Sequence, residues 1–386
     1  MSVVVAPPKA RLAWLDALRG VGALAVLGEH LFPWVLPWLR PYWFNLGIYG
    51  VLVFFLVSGY IVPTSLERRG DVGGFWVGRV FRLYPLYLAV AALVLVMAWW
   101  MPVREAVPRD GSAVAGHVTM LLDVVGVGGV ADTMWTLSYE MVFYLLVTGL
   151  FLAGAHRRSG AIAVLFGVAA VGWGLLVVSS PVTGAWLAYG SAVGFFVGLA
   201  CVISGRFRHT AAYGLALGAL GLLFLGGRIP WFGVTVLAVM FAGTAVHRWE
   251  RGEGALWPVL VTGVLVAIVP VWARQQVGWW AEPKVWITTV VLAGASFGVA
   301  MAVRHRRVPR VLVWLGLISY SLYLVHHPLL RLFVEITGDL RWSAVHVQVG
   351  LAVVFTAAIL GASWLSYRFV EKPAQEWGRR VKGYVS

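Results

Sequence analysis

Charged residues are scarce in this chain. Asp, Glu, Lys and Arg together occupy 12% of its 386 positions, against roughly 25% in a soluble globular domain. Hydrophobic residues account for 60%, and no polar stretch is long enough to fold as a separate soluble domain. The composition excludes an ordinary soluble protein and predicts a polytopic membrane protein that forms one membrane-embedded domain over residues 1–386.

Cysteine and lysine are also rare, and the first residues show no signal-peptide pattern. The one cysteine, Cys201, lies in an apolar segment, so an intramolecular disulfide is excluded and a buried structural thiol is expected. Residues 1–11 lack the regions of a signal peptide, so the first apolar segment is expected to be retained. The chain has 4 lysines and 26 arginines, a bias typical of high-GC bacteria, which predicts a bacterial plasma membrane location.

Twelve apolar segments are candidate membrane spans. Of the 30 basic residues, 21 fall in one alternating set of loops and termini, 8 fall in the other, and Arg19 lies inside the first segment. The positive-inside rule then places both termini in the cytoplasm as short tails, about 1–11 and 370–386. The spans that flank Arg228 are short, and merging would reduce the count to ten. The predicted fold is an all-α transmembrane bundle of ten to twelve spans, near 13–32, 44–63, 83–101, 134–154, 160–180, 185–204, 210–226, 230–247, 257–273, 286–303, 312–333 and 346–368.

Residue spacing does not support a nucleic-acid or metal site. The basic residues occur in small groups between apolar segments and form no stripe, so nucleic acid is not an expected partner. The nine histidines include no pair at i and i+4 with an acidic neighbour. His326 and His327 are adjacent and cannot face one ion from one side of a helix. No metal ion is therefore expected.

The first apolar segment, LDALRGVGALAVLGEH, contains both an arginine and a histidine. Arg19 and His30 are eleven residues apart, and eleven helical steps leave a net rotation of about 20° and a rise of about 16 Å. Both side chains therefore project from one face of the helix, which Asp16 shares. Because ionisable groups are costly in hydrocarbon, this face predicts a functional site inside the bundle or along a wet cavity.

Six features in order along the chain carry a resemblance to a known family. The chain resembles acyltransferase family 3, the integral membrane O-acyltransferases, from about Trp14 to Pro373. The first feature is the arginine and histidine of the first helix. The other five are GVLVFFLVSGYIVP at 50–63, FWVGRVFRLYP at 75–85, MWTLSYEMVFYLL at 134–146, LGLISYSLYLVHHP at 315–328 and YRFVEKP at 367–373.

The resemblance implies an enzyme that transfers an acyl group, acetyl or another short chain, from cytoplasmic acyl-CoA to a hydroxyl. The implied acceptor contains carbohydrate, either an envelope glycan or a glycosylated natural product such as a macrolide. Acyl-CoA is then the donor substrate, and the acceptor and membrane lipid are the other partners.

His30 is the expected catalytic base, because an imidazole can accept a hydroxyl proton at neutral pH. The resemblance makes Glu140 its partner, a carboxylate that would orient the ring and stabilise the imidazolium. Glu29 is a second candidate, but it points about 100° away on a helix and could act only if the helix ended there. The structural alternatives are a helix-end histidine bound to a headgroup or loop, and a first-turn acid favoured by the helix dipole.

Three arginines are expected to bind the donor. Arg79 and Arg82 are predicted in the basic loop before the third span, where guanidinium groups can bind the phosphates of coenzyme A. The alternative is that they only set the topology. Arg19 would bind donor phosphate or the pantetheine arm, as the resemblance implies. Asp16 is its local candidate partner, and a pair that merely locks the helix is the alternative.

Further polar side chains are expected to line the substrate cavity. They are Asp16, Ser58, Tyr144, Tyr320 and His326. Ser58 precedes a glycine, a pair more typical of close helix packing than of a nucleophile. Tyr144 shares a helix face with Thr136 and Glu140. His326 is equally consistent with a satisfied interior histidine.

A transporter or flippase for a glycan or small molecule is the alternative function. The loop between the second and third spans lacks the ordered Gly-x-x-x-Asp-Arg-x-Gly-Arg pattern of common carriers, and the two halves of the chain show no convincing repeat. A scaffold or sensor is disfavoured, because Asp16, Arg19 and Glu140 would be costly without a task.

Overall fold

The computed structural model describes residues 12–102, 104–105 and 107–385, and over this part of the chain it is all-helical, without a β-strand. The predicted N-terminal tail, about 1–11, lies outside the described residues. The helices are α1 (Ala13–Val35), α2 (Leu46–Glu67), α3 (Val72–Met97), α4 (Gly111–Thr119), α5 (Trp135–Leu152), α6 (Ser159–Leu176), α7 (Ala185–Ser204), α8 (Arg208–Leu225), α9 (Pro230–Glu250), α10 (Trp257–Trp272), α11 (Pro283–Ala302), α12 (Arg310–Leu317), α13 (Ser319–Thr337), α14 (Val345–Ser366) and α15 (Lys372–Val385).

Each of the twelve predicted segments is helical, but not all of them qualify as spans. By length and composition, nine helices of the described ranges could cross a membrane. A tenth is possible if α12 and α13, which meet at a bend of 68°, form one broken span. α10 has only 16 residues, and the ionisable residues of α1 reduce its apolarity. The chain is thus a multi-pass membrane protein.

The first helix, α1, is packed on several sides by other helices. α2, α12 and α13 all contact it. Glycines permit the closest approaches: a Cβ added to Gly50 would overlap the backbone of Gly22, and one added to Gly316 would overlap the carbonyl group of Asp16. α1 therefore lies among other helices, where its polar face can border cavities of the bundle.

The glycine that follows Ser58 allows α2 to pack tightly on α9. A Cβ on Gly59 would overlap the carbonyl oxygen of Met240, and the hydroxyl of Thr244 donates a hydrogen bond of 2.8 Å to the Gly59 carbonyl. α9 is buried along almost its whole length. Gly59 therefore permits close helix packing, as the sequence predicted for the Ser58–Gly59 pair.

The third helix begins eleven residues earlier than predicted. Asp71 caps it by accepting a hydrogen bond of 2.8 Å from the amide of Gly74, and α3 continues through Pro85 to Met97. Its 26 residues give a length of about 39 Å, longer than the hydrocarbon core of roughly 30 Å. Arg79 and Arg82 are therefore helical, and the prediction that they lie in a loop is wrong.

The C-terminal segment is a helix that packs against α3. A π-helical turn, Tyr367–Glu371, joins α14 to α15. A Cβ added to Gly378 would lie 2.6 Å from the Cβ of Phe81, so α15 lies close against α3. Part of the predicted tail, about 370–386, is thus ordered helix beside the arginines of α3.

Candidate active site

His30 lies near the end of α1, and its hydrogen bonds define which nitrogen can act as a base. His30 Nδ1 lies 2.9 Å from the Val26 carbonyl oxygen and 3.2 Å from Nε2 of His326. His326 Nδ1 in turn lies 2.8 Å from the Leu322 carbonyl oxygen. Because carbonyl oxygens only accept, both Nδ1 atoms carry hydrogen. The lone pair of His30 is therefore on Nε2.

A cavity of about 410 Å³, which we call the His30 cavity, lies at this end of the bundle. Aromatic side chains form much of its wall, and Asn45, Arg104 and Asp132 add polar groups. Its aromatic residues are Trp135, Phe232, Trp279, Trp280 and Tyr323. A concave site that combines aromatic surface with polar and charged groups is typical of small-molecule sites.

Buried Asp123 also lines the His30 cavity. Burial raises the pKa of its carboxyl group, and the hydrogen bond that it accepts from the Tyr139 hydroxyl opposes the increase. The backbone amide of Arg228 donates to the Asp123 carbonyl oxygen over 3.2 Å. Asp123 thus connects the loop at this end of the bundle to α5 and to the start of α9.

The two acids proposed as partners of His30 have other contacts. Glu29 forms an ion pair of 2.7 Å with Arg40 and accepts a hydrogen bond of 3.2 Å from the amide of Leu46. α1 continues to Val35, so Glu29 stays on a different face and the hypothesis that it orients His30 is wrong. Glu140 accepts a hydrogen bond from the Tyr144 hydroxyl, and no hydrogen bond joins it to His30 within the described ranges.

Glu140 instead lines a small middle cavity of about 50 Å³. Arg19, Ser58 and Tyr320 also line it. Tyr323 lines both this cavity and the His30 cavity, and its oxygen accepts a hydrogen bond of 2.9 Å from the Thr136 hydroxyl. The middle cavity therefore adjoins the His30 cavity at Tyr323.

A third cavity of about 510 Å³ lies beside α15, and we call it the α15 cavity. Arg19 and Tyr320 line both this cavity and the middle cavity. The other cationic residues in its wall are Arg82, Lys372 and Arg379. The three cavities thus follow one another along α1, from the cationic end at α15 to His30.

Arg19 stands where the α15 cavity meets the middle cavity. Its guanidinium makes no hydrogen bond or ion pair with any residue of the described part of the chain, although Arg82, Glu140, Asp16 and Glu371 act on it electrostatically. The expected direct ion pair with Asp16 is therefore not formed. Buried Asp16 is absent from the walls of all three cavities as far as the described residues define them, so its part in lining the site stays a prediction.

Arg79 does not face the α15 cavity. Its guanidinium lies over the rings of Phe75 and Tyr144, 5.4 Å from each centroid. Tyr144 is fully buried, lines none of the three cavities over the described ranges, and donates to Glu140. Arg79 therefore contacts Tyr144, whose hydroxyl binds Glu140. Arg82 and Arg19, by contrast, reach cavity walls.

The two tyrosines of the LGLISYSLYLVHHP motif reach the cavities, whereas His326 is fully buried outside them. The Tyr320 hydroxyl donates a hydrogen bond of 2.8 Å to the Leu83 carbonyl oxygen and links α13 to α3. Ser321 donates to Glu371 over 2.8 Å. His326 contacts His30, so it lies behind His30 and outside the walls of the three cavities that the described residues define.

Four polar residues near the cavities were not singled out from the sequence. Lys372 and Arg379 belong to α15. The amphipathic pattern of this segment, with apolar residues at helical spacing, is the signal that could have indicated a helix facing a wet cavity. Asp132 and His327 lie near His30, and their ligand atoms and that of His30 all fall within 4.8 Å of one another. No short sequence motif contains His30, Asp132 and His327 together, so no signal in the sequence indicated this group.

Comparisons with known proteins place this chain in a family. The acyltransferase domain of acyltransferase family 3 matches residues 12–368. The “Putative peptidoglycan O-acetyltransferase YrhL” of Bacillus subtilis is 25% identical, over 95% of this chain and 55% of its own length. The O-acetyltransferase OatA of Staphylococcus aureus is 23% identical, over 96% of this chain and 59% of its own length.

A third relative, the acyltransferase MdmB of Streptomyces mycarofaciens, is 26% identical over 97% of this chain and 95% of its own length. The chain spans a little over half the length of the other two relatives. No solved structure matches it. Since the family match covers nearly all of the described residues, the chain belongs to acyltransferase family 3.

Proposed function

We propose that the protein is a membrane O-acyltransferase that moves a short acyl group, such as acetyl, from acyl-CoA to a hydroxyl of a carbohydrate-containing acceptor. The observation that carries this proposal is the series of three adjoining cavities along α1, with cationic side chains at one end and the free Nε2 of His30 at the other. Family membership supports an acyl transfer reaction.

The α15 cavity is the proposed donor site. Arg82, Lys372 and Arg379 would bind the phosphates of coenzyme A, since guanidinium and ammonium groups form strong charge-assisted hydrogen bonds with phosphate. Arg19, which lacks a hydrogen-bond partner within the described ranges, would contact the pantetheine arm as it enters the middle cavity. Arg19 and His30 are about 16 Å apart along the helix axis, which an extended arm can bridge.

His30 is the proposed general base. As the acceptor oxygen attacks the thioester carbonyl, His30 Nε2 takes the hydroxyl proton, the new C–O bond forms and the C–S bond breaks. The thiolate of coenzyme A then accepts the proton and leaves as a thiol. The positive charge on the ring is stabilised through Nδ1–H, which faces the Val26 oxygen and His326 Nε2. His326 thus takes the part that the sequence suggested for Glu140, and no acyl-enzyme is required.

The His30 cavity is the proposed acceptor site. Its tryptophans offer flat apolar faces on which a sugar ring can lie, and Asn45, Arg104 and Asp132 offer polar groups for hydroxyls. An envelope glycan, such as peptidoglycan, or a glycosylated macrolide fits this chemistry. The name of the relative from Bacillus subtilis refers to peptidoglycan, which supports the first of these choices.

Transport is the second candidate function, because the adjoining cavities also suggest a route between the two ends of the bundle. A carrier would move its substrate without breaking a thioester. An acyltransferase releases one thiol for each acylated acceptor, so thiol release separates the two functions.

The test uses purified full-length protein in lipid nanodiscs with acetyl-CoA and two probe acceptors, a peptidoglycan-derived disaccharide and a glycosylated macrolide. Thiol release is followed by a colorimetric reagent, and acceptor acetylation by mass spectrometry. We expect wild-type protein to release thiol in step with acetylation and His30→Ala to lose the reaction by about 10²-fold or more. His346→Ala changes an exposed histidine and is the matched control. Retained activity in folded His30→Ala would refute the proposal.

A further inference from the structure

His30, Asp132 and His327 form a compact group of possible metal ligands beside the His30 cavity. One ligand atom from each residue lies within 4.8 Å of the other two. The ring centroids of His30 and His327 are 5.1 Å apart. His30 and Asp132 also line the His30 cavity, which gives an ion a way in.

Each of the three residues has a ligand atom to spare. The hydrogen bond of His30 Nδ1 to Val26 leaves Nε2 free. Arg104 pairs with Oδ1 of Asp132, and Oδ2 makes no hydrogen bond to any residue that the structure describes. His327 Nδ1 is buried without a hydrogen-bond partner. A buried nitrogen of this kind requires an explanation, for which an ion or a water molecule would serve.

We propose that this group binds a divalent transition-metal cation, Zn²⁺ in particular, and that the bound ion inhibits acyl transfer. Two imidazoles and one carboxylate are a ligand set that suits zinc and leaves one coordination position for water. The inhibition rests on the proposed function, because zinc would occupy the Nε2 lone pair with which His30 takes the hydroxyl proton.

The geometry favours a reversible inhibitory site over a resident catalytic ion. Zinc bonds to nitrogen and oxygen of about 2.0–2.2 Å give ligand atoms about 3.4 Å apart in a tetrahedral site. The three ligand atoms lie within 4.8 Å of one another, so the side chains must close around the ion by up to about 1.4 Å. Asp132 must also share its charge with Arg104. Both features weaken zinc binding relative to a site built for permanent occupancy.

The experiment measures zinc binding and inhibition separately on the full chain in nanodiscs. Isothermal titration with Zn²⁺ gives the affinity, and thiol release from acetyl-CoA gives the inhibition relative to the zinc-free rate of each variant. His327→Gln and Asp132→Asn each remove one ligand, and His346→Gln is the matched control. We expect one zinc per wild-type chain, inhibition over the same concentration range, and a loss of affinity of about tenfold or more in each ligand variant. Mg²⁺, which prefers oxygen ligands, is expected to have no effect at the same concentrations.

Several results would overturn the inference. They are absence of zinc binding to wild-type protein, a zinc affinity in both ligand variants that equals that of wild type, and binding without inhibition. Loss of activity on chelation with recovery on zinc addition would also overturn it, because the ion would then be catalytic. Failure of the proposed base is distinguishable, since it would appear as acyl transfer by His30→Ala in zinc-free buffer. Size-exclusion profiles identify a ligand variant that has not folded, and the other variant then provides the result.

Discussion

Substitution of His326 by leucine removes one hydrogen-bond acceptor of His30 and leaves the other in place. His30 Nδ1–H faces the Val26 oxygen at 2.9 Å and His326 Nε2 at 3.2 Å. Leucine has a similar size but no acceptor, so the Val26 oxygen alone would hold the ring. The Leu322 oxygen, which now accepts from the His326 side chain, keeps its backbone hydrogen bond within α13. No buried group therefore loses all of its partners.

The expected effect follows from the strength of one hydrogen bond. A neutral bond contributes about 0.5–1.5 kcal/mol and a bond to a charged group about 1.5–3 kcal/mol. Since the ring becomes charged only as it takes the proton and retains its bond to Val26, a loss of about 1–2 kcal/mol is expected. This corresponds to a decrease in kcat of roughly 5- to 30-fold. His326 lies outside the walls of the three cavities within the described ranges, so the KM for acetyl-CoA should stay unchanged.

The assay compares initial rates of thiol release for wild type, His326→Leu, His30→Ala and the control His346→Leu over a range of acetyl-CoA concentrations. Thermal unfolding in detergent checks that each variant is folded. A kcat of His326→Leu within twofold of wild type would refute the idea that His326 supports the base. A loss as complete as that of His30→Ala would also refute it, because His326 would then take part in the chemistry directly.

Two further predictions concern the donor site and the packing of the bundle. Arg82→Gln and Lys372→Gln should each raise the KM for acetyl-CoA by about tenfold, as the loss of one charge-assisted phosphate contact predicts. Arg380→Gln, which lies outside the cavity, is the control and should leave the KM unchanged. Equal KM values for all three variants would contradict the proposed donor site. Gly59→Ala should destabilise the protein by about 1–3 kcal/mol, because its Cβ overlaps the carbonyl oxygen of Met240. Gly263→Ala is the matched control, because its Cβ would lie in open space, and it should leave the thermal unfolding temperature within about a degree of wild type. An equal decrease in the unfolding temperature of both variants would exclude the packing explanation.

The sequence predicted those features of the fold that depend on local pattern. Eleven of the twelve apolar segments each form one helix, because hydrophobic length is encoded within a single segment, and the segment 312–333 is divided between α12 and α13. Arg19 and His30 reach cavity walls at opposite ends of the series, as the periodicity of one helix requires. The start of α3 was missed, because its first turns contain arginine and glycine and lack the apolar character that marks a span.

Contacts between distant segments could not be predicted in the same way. His30 and His326 are 296 residues apart in sequence, and only the packing of α13 beside α1 brings them together. Glu140 was a reasonable partner by depth in the membrane, but depth does not determine the side of the bundle that a carboxylate faces. The packing of α15 was also not predicted, because a polar C-terminal segment resembles a solvated tail until its contact with α3 is known.

The central claim is that donor and acceptor enter from opposite ends of one series of cavities. Proteoliposomes in which the protein has a single orientation, established by protease cleavage of a C-terminal tag, test it directly with acetyl-CoA confined to one side and the peptidoglycan-derived disaccharide to the other. The account predicts acetylated disaccharide only when acetyl-CoA is on the side of the C terminus, and loss of the product in His30→Ala. Product that forms only when both substrates are on the same side would contradict it.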